Sequence, residues 1–285
     1  MSEAPYDLSL VGKSGKSGTG SWDSFKALLY AVAVGAGQED PSKEIEFTTE
    51  NSPGVDQKVL PSFINVVGAS GGFPDGLVID LKRLLHAEQG FTLHKPIPVE
   101  GTATGTQTIT GIYDKGSGAL ISTATEIVDA KGEPLATIRG GLFMRGLGGW
   151  GGDRGPEEAW QVPEGKPDIE VKFQPPISQA LVYRLTGDRN PLHSSPEFAK
   201  AAGFERPILH GMCTYGYTSR LLLHAVADGD PAKFTGMFGR FSKTVLPGEP
   251  LALQVWKGSG GESMFRTVNS ETGEIKIDKG RVQHA

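Results

Sequence analysis

The chain has 285 residues, enough for one large domain or two of ordinary size, and its 38% hydrophobic and 21% charged content is that of a folded globular protein. A net charge of −5 argues against a nucleic-acid surface, although local cations would still admit an anionic ligand. The N-terminus has neither a basic region nor an apolar run, no stretch approaches the roughly 20 apolar residues of a membrane helix, and the C-terminus is not a Ser-Lys-Leu tail; a cytoplasmic protein without membrane contact is expected.

The first ~20 residues are Gly/Ser/Lys-rich and read as an irregular arm. From Trp22 the period changes: Trp22, Phe25, Leu28, Leu29, Val32 and Ala33 recur at helical spacing, with Ser21 or Asp23 as cap, and Gly35-Ala-Gly37 ends the helix. Pro61 to about Val67 predicts a second, more apolar helix. The period then becomes two, with strands expected near 91–96, 102–113, 118–129 and 134–144, separated by turns such as Asp114-Lys-Gly-Ser-Gly118 and Asp129-Ala-Lys-Gly-Glu133. The 40 glycines, about twice the usual share, sit largely in such turns. Between Gly146 and Asp168 the composition falls to Gly, Pro and charge, which reads as a flexible loop and linker. Its Gly146-Leu-Gly-Gly-Trp-Gly151 has the form G-x-G-x-x-G, but no helix follows, so it is not a dinucleotide site.

The second half replays the first. A helical run from Gln179 to Leu185 reaches Gly187, a further helix is expected near 211–227, and strands follow near 235–245, 249–257, 262–268 and 274–283. The pattern predicts a duplicated α+β unit, one long helix wrapped by an antiparallel sheet, present twice. The expected boundaries are 1–150 for the first unit, 151–168 for a Gly/Pro-rich linker and 169–285 for the second.

Chemistry concentrates in Tyr183-Arg-Leu-Thr-Gly-Asp-Arg-Asn-Pro-Leu-His193. Asn190 before Pro191 is biased to extended backbone, and Ser195-Pro196-Glu197 starts a short helix that Gly203 ends. Asp188 and His193 on this pinned loop can share one water, deprotonate it and deliver a proton elsewhere. Taken alone, the same residues also suit a plain turn with a hydrogen-bonded histidine. Downstream, Leu209-His210-Gly211 opens an apolar helix at a residue without a side chain, where backbone N–H groups and the helix dipole favour a developing oxyanion. The single cysteine, Cys213, lies in that helix and reads as a small core residue, and it leaves no disulfide or cysteine-rich zinc site. His224 reads as a cation near the helix C-terminus. The six histidines show no metal-ligand spacing, so neither metal nor cofactor is expected.

These segments together resemble the type 2, (R)-specific enoyl-CoA hydratases of the MaoC-like, hot-dog-fold group. The signature Gly-Asp-x-Asn-Pro-Leu-His and the stretch Pro207-Ile-Leu-His-Gly-Met-Cys-Thr214 are both present. Leu28 to Gly37, Leu85-His-Ala-Glu-Gln89 and Phe143 to Gly152 extend the likeness to the two-repeat members. The resemblance implies a tandem (double) hot-dog fold and reversible syn hydration of trans-2-enoyl-CoA to the (3R)-3-hydroxyacyl-CoA. It implies a homodimer, Asp188 and His193 as the water-activating pair, Asn190 as their positioner, Gly211 as oxyanion N–H donor, and a role for Glu88. Ala87 stands where that last motif carries glycine. The first repeat has no Asp/His pair in register, so one site per chain is expected, with the first repeat forming an acyl-chain pocket. His210 is a candidate substrate contact, and Arg206, Arg240 and Lys243 are candidate CoA-phosphate ligands. The rival readings are a dehydratase on acyl-carrier-protein substrates, a hot-dog thioesterase and a non-catalytic acyl-CoA-binding module.

Overall fold

Alternating β-branched and small residues make ten strands, which join into one antiparallel sheet. The computed structural model describes residues 3–156 and 160–285. The first half supplies β1 (Gly18–Trp22), β2 (Leu84–Leu93), β3 (Gly101–Asp114), β4 (Gly118–Asp129) and β5 (Pro134–Arg145). The second supplies β6 (Ile169–Phe173), β7 (Phe234–Phe241), β8 (Leu251–Lys257), β9 (Glu262–Asn269) and β10 (Ile275–His284). Their order is β1-β3-β4-β5-β2-β7-β10-β9-β8-β6, so each half uses the same internal order and the two meet where β2 pairs with β7. This is the tandem arrangement that the repeated pattern predicts. The predicted hairpin turns hold as well: Asp129 Oδ1 accepts from the Lys131 and Glu133 N–H groups, and Gly132 takes φ +80°.

The helices are α1 (Ser24–Ala33), α2 (Ile45–Thr48), α3 (Gln179–Tyr183), α4 (Pro196–Ala201) and α5 (Gly211–Val226). Asp23 caps α1 by accepting from the Lys26 N–H at 3.0 Å, and Ser195 caps α4. Only the second half has a long helix against the sheet. Its counterpart in the first is the six-residue 3₁₀ segment Pro61–Val66, which corrects the expectation of one long helix per unit. The reason lies in the next residues. A Cβ added at Gly20 would come within 1.9 Å of the Val67 carbonyl oxygen, and one at Gly105 within 1.7 Å of that of Ala69. Backbone 67–72 thus lies directly on β1 and β3, where a continued helix has no room.

Two further expectations change. The N-terminal arm is not irregular throughout: β1 is an edge strand, and a ladder of hydroxyl pairs (Ser14–Thr108, Ser17–Thr106, Thr19–Thr104, Ser21–Thr102) runs beside it at 2.7–3.2 Å. Polar, glycine-rich composition hid a strand held by side-chain hydrogen bonds rather than by apolar packing. The loop after β5 is anchored, not flexible. Asp114, 5% exposed, accepts from the N–H groups of Gly116, Gly149 and Gly151 at 2.7–2.8 Å. Among the described residues no helix is long and apolar enough to cross a membrane.

One core runs through both halves, with Tyr30, Phe63, Phe91, Tyr183, Tyr215 and Phe234 at its centre. The second half also satisfies carbonyls at the end of α1 that the helix itself cannot. Gln179 Nε2 and the Cys213 thiol donate to Ala33 O, and Arg220 Nε donates to Val34 O. Arg220 and His224 both reach Glu44, each at 2.7 Å. His224 therefore has a partner from the other half and not merely a helix end. Burial opposes the charge on Glu44, yet His224, Arg220 and the Gly37 N–H overcome it and hold the carboxyl at about 2. The stability this contributes is complete above the ordinary 4.5 and is lost as the pH falls through about 2. Glu44→Gln strands the buried Arg220 guanidinium and should cost about 3–5 kcal/mol in urea unfolding at pH 7.

Candidate active site

Local turn chemistry builds the loop. After α3 a single 3₁₀ turn ends at Gly187, whose φ of +135° only glycine adopts comfortably. Asp188 Oδ1 then accepts from the Asn190 N–H, and Asn190 Oδ1 accepts from the Leu192 N–H, both at 3.0 Å. With Pro191 opening the next 3₁₀ turn, Pro191–His193, the loop reads as two successive Asx turns. The turn-forming role expected of Asp188 and Asn190 is therefore present. Asn190 shapes the loop through its side chain, and among the described residues Asp188 Oδ2 has no protein partner.

His193 is 8% exposed, and its Nδ1 lies 2.9 Å from the Ile208 carbonyl oxygen. A carbonyl only accepts, so Nδ1 carries the proton and Nε2 keeps a lone pair. His210 stacks on His193 with ring centroids 3.7 Å apart and donates from Nε2 to the Asp188 carbonyl at 3.3 Å. Burial lowers the pKa of His193, with the Ile208 and Asp188 contacts opposing it. Burial and the neighbouring His193 bring His210 to about 4. Both rings are thus neutral at neutral pH. Cys213 is fully buried, and burial pushes its thiol well up, so it is no nucleophile.

Gly211 opens α5 directly after His210, and the N–H groups of Gly211 and Met212 have no acceptor among the described residues. A Cβ at Gly211 would press on the Phe241 ring at 3.3 Å. The glycine therefore keeps the approach to these donors open, as an oxyanion site requires.

Asp188 borders two cavities. The wider, about 1110 Å³, is lined by His193, Gly211 and Met212 together with His86 and Glu88 of β2. Six Lys/Arg (Lys115, Arg154, Arg240, Lys243, Lys276, Lys279) face it against the two carboxylates Glu88 and Asp188. The smaller, about 280 Å³, is lined mainly by Ile64, Val66, Ile127, Ile138, Tyr183 and Met212. Glu88 lies opposite Arg240 across the β2–β7 seam and beside Gly141. Ala87 sits at a β-bulge between His86 and Glu88 without a positive φ, so alanine is accommodated there.

Of the three candidate CoA-phosphate ligands, Arg240 and Lys243 line the wider cavity, whereas Arg206 is exposed and lines neither. His210, a candidate substrate contact, is buried against His193 and lines neither cavity. Asp188, His193 and His210 offer ligand atoms within 4.8 Å of one another, a spacing that suits a cation. His210 Nε2, however, is engaged with the Asp188 carbonyl, and His193 Nδ1 with that of Ile208. Sequence reasoning missed His86, whose Nε2 pairs with Gln89 Oε1 at 3.0 Å, while Gln89 Nε2 donates to Asn65 at 2.7 Å. Its signal was position alone: it shares the cavity face with Glu88 once the bulge is counted.

Sequence comparison matches the MFE-2 hydratase 2 N-terminal domain over residues 21–146 and the MaoC like domain over 158–279. An enoyl-CoA hydratase of Mycobacterium tuberculosis is 40% identical over 245 residues, covering 83% of this chain and 84% of that one. A 3-hydroxyacyl-thioester dehydratase of the same organism is 40% identical over 273 residues, covering 92% and 93%. The crystal structure of a MaoC-like dehydratase from Phytophthora capsici superposes with a TM-score of 0.88 at 32% identity, covering 98% of each chain. The fold and site define a MaoC-like protein with two hot-dog units. Within that group, the chain belongs to the enoyl-CoA hydratase 2 family.

The buried imidazoles set a pH dependence. Their folded pKa values lie below the ordinary 6.5, so the unfolded chain binds more protons as the medium is acidified. The associated stability is complete above 6.5 and is lost as the pH falls toward about 4. The acid limb of a kcat/KM profile governed by His193 should accordingly fall below 6.5, as stopped-time assays across pH 4–8 would show.

Proposed function

We propose that this chain catalyses reversible syn addition of water to trans-2-enoyl-CoA, giving the (3R)-3-hydroxyacyl-CoA. The observation that carries this reading is that Asp188 borders both a cation-lined cavity and an apolar one, with His193 lining the former and unpaired N–H groups at Gly211 and Met212 beside it. A thioester laid through both puts its tail in the apolar space and its anionic end among the cations.

Water bound there donates to the free lone pair of His193 Nε2 and to the Asp188 carboxylate. As its oxygen bonds to C3, the thioester oxygen takes up charge and is held by the Gly211 N–H. A proton from the pair then reaches C2 on the same face, so water's hydroxyl and one proton end on the product. His210 backs the His193 ring and fixes the Asp188 carbonyl, Asn190 shapes the loop, and Glu88 lies across the cavity on β2. Residues 169–285 are the catalytic unit, 151–168 the connection, and 1–150 the unit that contributes most of the tail pocket. The same site run in reverse is a 3-hydroxyacyl-thioester dehydratase, a reading favoured by the likeness to the Mycobacterium tuberculosis dehydratase. We also infer a cytoplasmic homodimer, which light scattering of the purified chain and microscopy of a tagged one would test.

Asp188→Asn and His193→Ala should each lower kcat for crotonyl-CoA hydration by about 10²–10⁴-fold, with CoA-ester binding by calorimetry largely unchanged. Retention of most activity in either variant would remove the assignment. Ile138→Phe should narrow the tail cavity and lower kcat/KM for decenoyl-CoA by about tenfold or more, while crotonyl-CoA turnover persists.

A further inference from the structure

Two of the cavity's cations are held in place by devices that packing does not otherwise require. Arg154 lies in the loop after β5, on the segment that Asp114 anchors through the backbone N–H groups of Gly149 and Gly151. The Asp114 N–H in turn donates to the Asp153 carbonyl at 2.7 Å, and the Lys115 ammonium donates to the Arg154 carbonyl. A Cβ at Gly155 would collide with the Tyr113 ring at 2.7 Å, so the loop is packed down on β3. The Gly149 N–H, with those of Gly116 and Gly151, holds the Asp114 carboxyl at about 2, so the anchor stays charged across the physiological range.

Lys279 comes from the other half. It is one of three non-glycine residues with positive φ among the described residues, at +52°, and it sits where β10 shifts register against β9 between Ile277 and Gly280. Strain of that kind in a long side chain persists where it aims the chain at something. Here Lys279 lines the cavity, and so does Arg154. Neither has an acidic partner among the described residues, unlike Lys276, which Glu249 and Glu274 neutralise at 2.6 Å.

We propose that Arg154 and Lys279 form a subsite for the phosphate-bearing end of the thioester substrate, with Asp114 as the positioning residue that holds Arg154 there. The proposal rests on the thioester reading above. Its ligand chemistry is a phosphate ester linked to pantetheine, as in coenzyme A or in the prosthetic arm of a carrier protein.

The test compares one crotonyl group on three carriers: coenzyme A, a carrier protein and phosphate-free pantetheine. Arg154→Ala and Lys279→Gly should each raise KM for at least one phosphate-bearing ester by about tenfold with kcat retained, as loss of a charge-assisted contact predicts. Whichever of the two phosphate-bearing esters shows the rise identifies the source. The rise should be confined to those esters and absent with crotonyl-pantetheine. Lys279→Gly should also leave Tm unchanged or higher, since glycine relieves the φ strain. Asp114→Asn should reproduce the Arg154→Ala phenotype, and the double variant should be no worse than Arg154→Ala alone. Unchanged KM for both phosphate esters, or an equal rise with pantetheine, overturns the subsite; additive effects of Asp114→Asn and Arg154→Ala overturn the positioning role. If the wild-type chain hydrates none of the three esters, the hydratase reading fails, while calorimetry with coenzyme A alone still decides the subsite by the same variants.

Discussion

Pairing of β2 with β7 is the constraint on which the rest depends. It makes two five-stranded units into one sheet and leaves no open edge between them. It also sets Glu88 of one unit opposite Arg240 of the other and brings His86 within 5.0 Å of Phe241. The cavity wall is therefore a composite across that seam. Capping of the α1 carbonyls by Gln179, Cys213 and Arg220 fastens the same junction from the helical side, so neither half presents a finished surface without the other.

Duplication gave two similar units, and loss of symmetry gave them different work. The second keeps a 16-residue helix whose first N–H groups face the cavity. The first replaces it by six residues of 3₁₀ helix and a glycine-rich segment pressed on the sheet. A shorter helix covers less of its sheet, and the space beside Ile64, Val66 and Ile138 becomes the apolar pocket next to Asp188. A helix N-terminus at the cavity in one unit and room in the other are two consequences of the same asymmetry.

At the reacting centre, burial does the tuning. His193 is fixed in one tautomer by a carbonyl, and His210 stacked against it cannot take up a second proton cheaply. Lys and Arg outnumber Asp and Glu along the wider cavity although the chain carries −5, even with Lys276 neutralised by Glu249 and Glu274.

Local signals were legible in the chain. Strands β3, β4, β5 and β7 to β10 follow from period-two alternation between turn residues, and α1, α4 and α5 from caps, Pro196 and Gly211. The Asp188–His193 loop is equally local, since Asx turns and a proline are written in consecutive residues. What needed the tertiary structure is everything set by distant partners. Strand β1 depends on hydroxyls some 81 to 94 residues away, the bulge at Ala87 disguises the start of β2, and the absent first helix follows from backbone contacts between glycine segments. Whether Arg206 or Arg154 lines the cavity, and that His210 stacks on His193 and lines neither cavity, was likewise decided by packing. Backbone propensity and turn chemistry act over a few residues and so can be read from the chain, whereas the address of a long cation or a buried ring is set by which surfaces close around it.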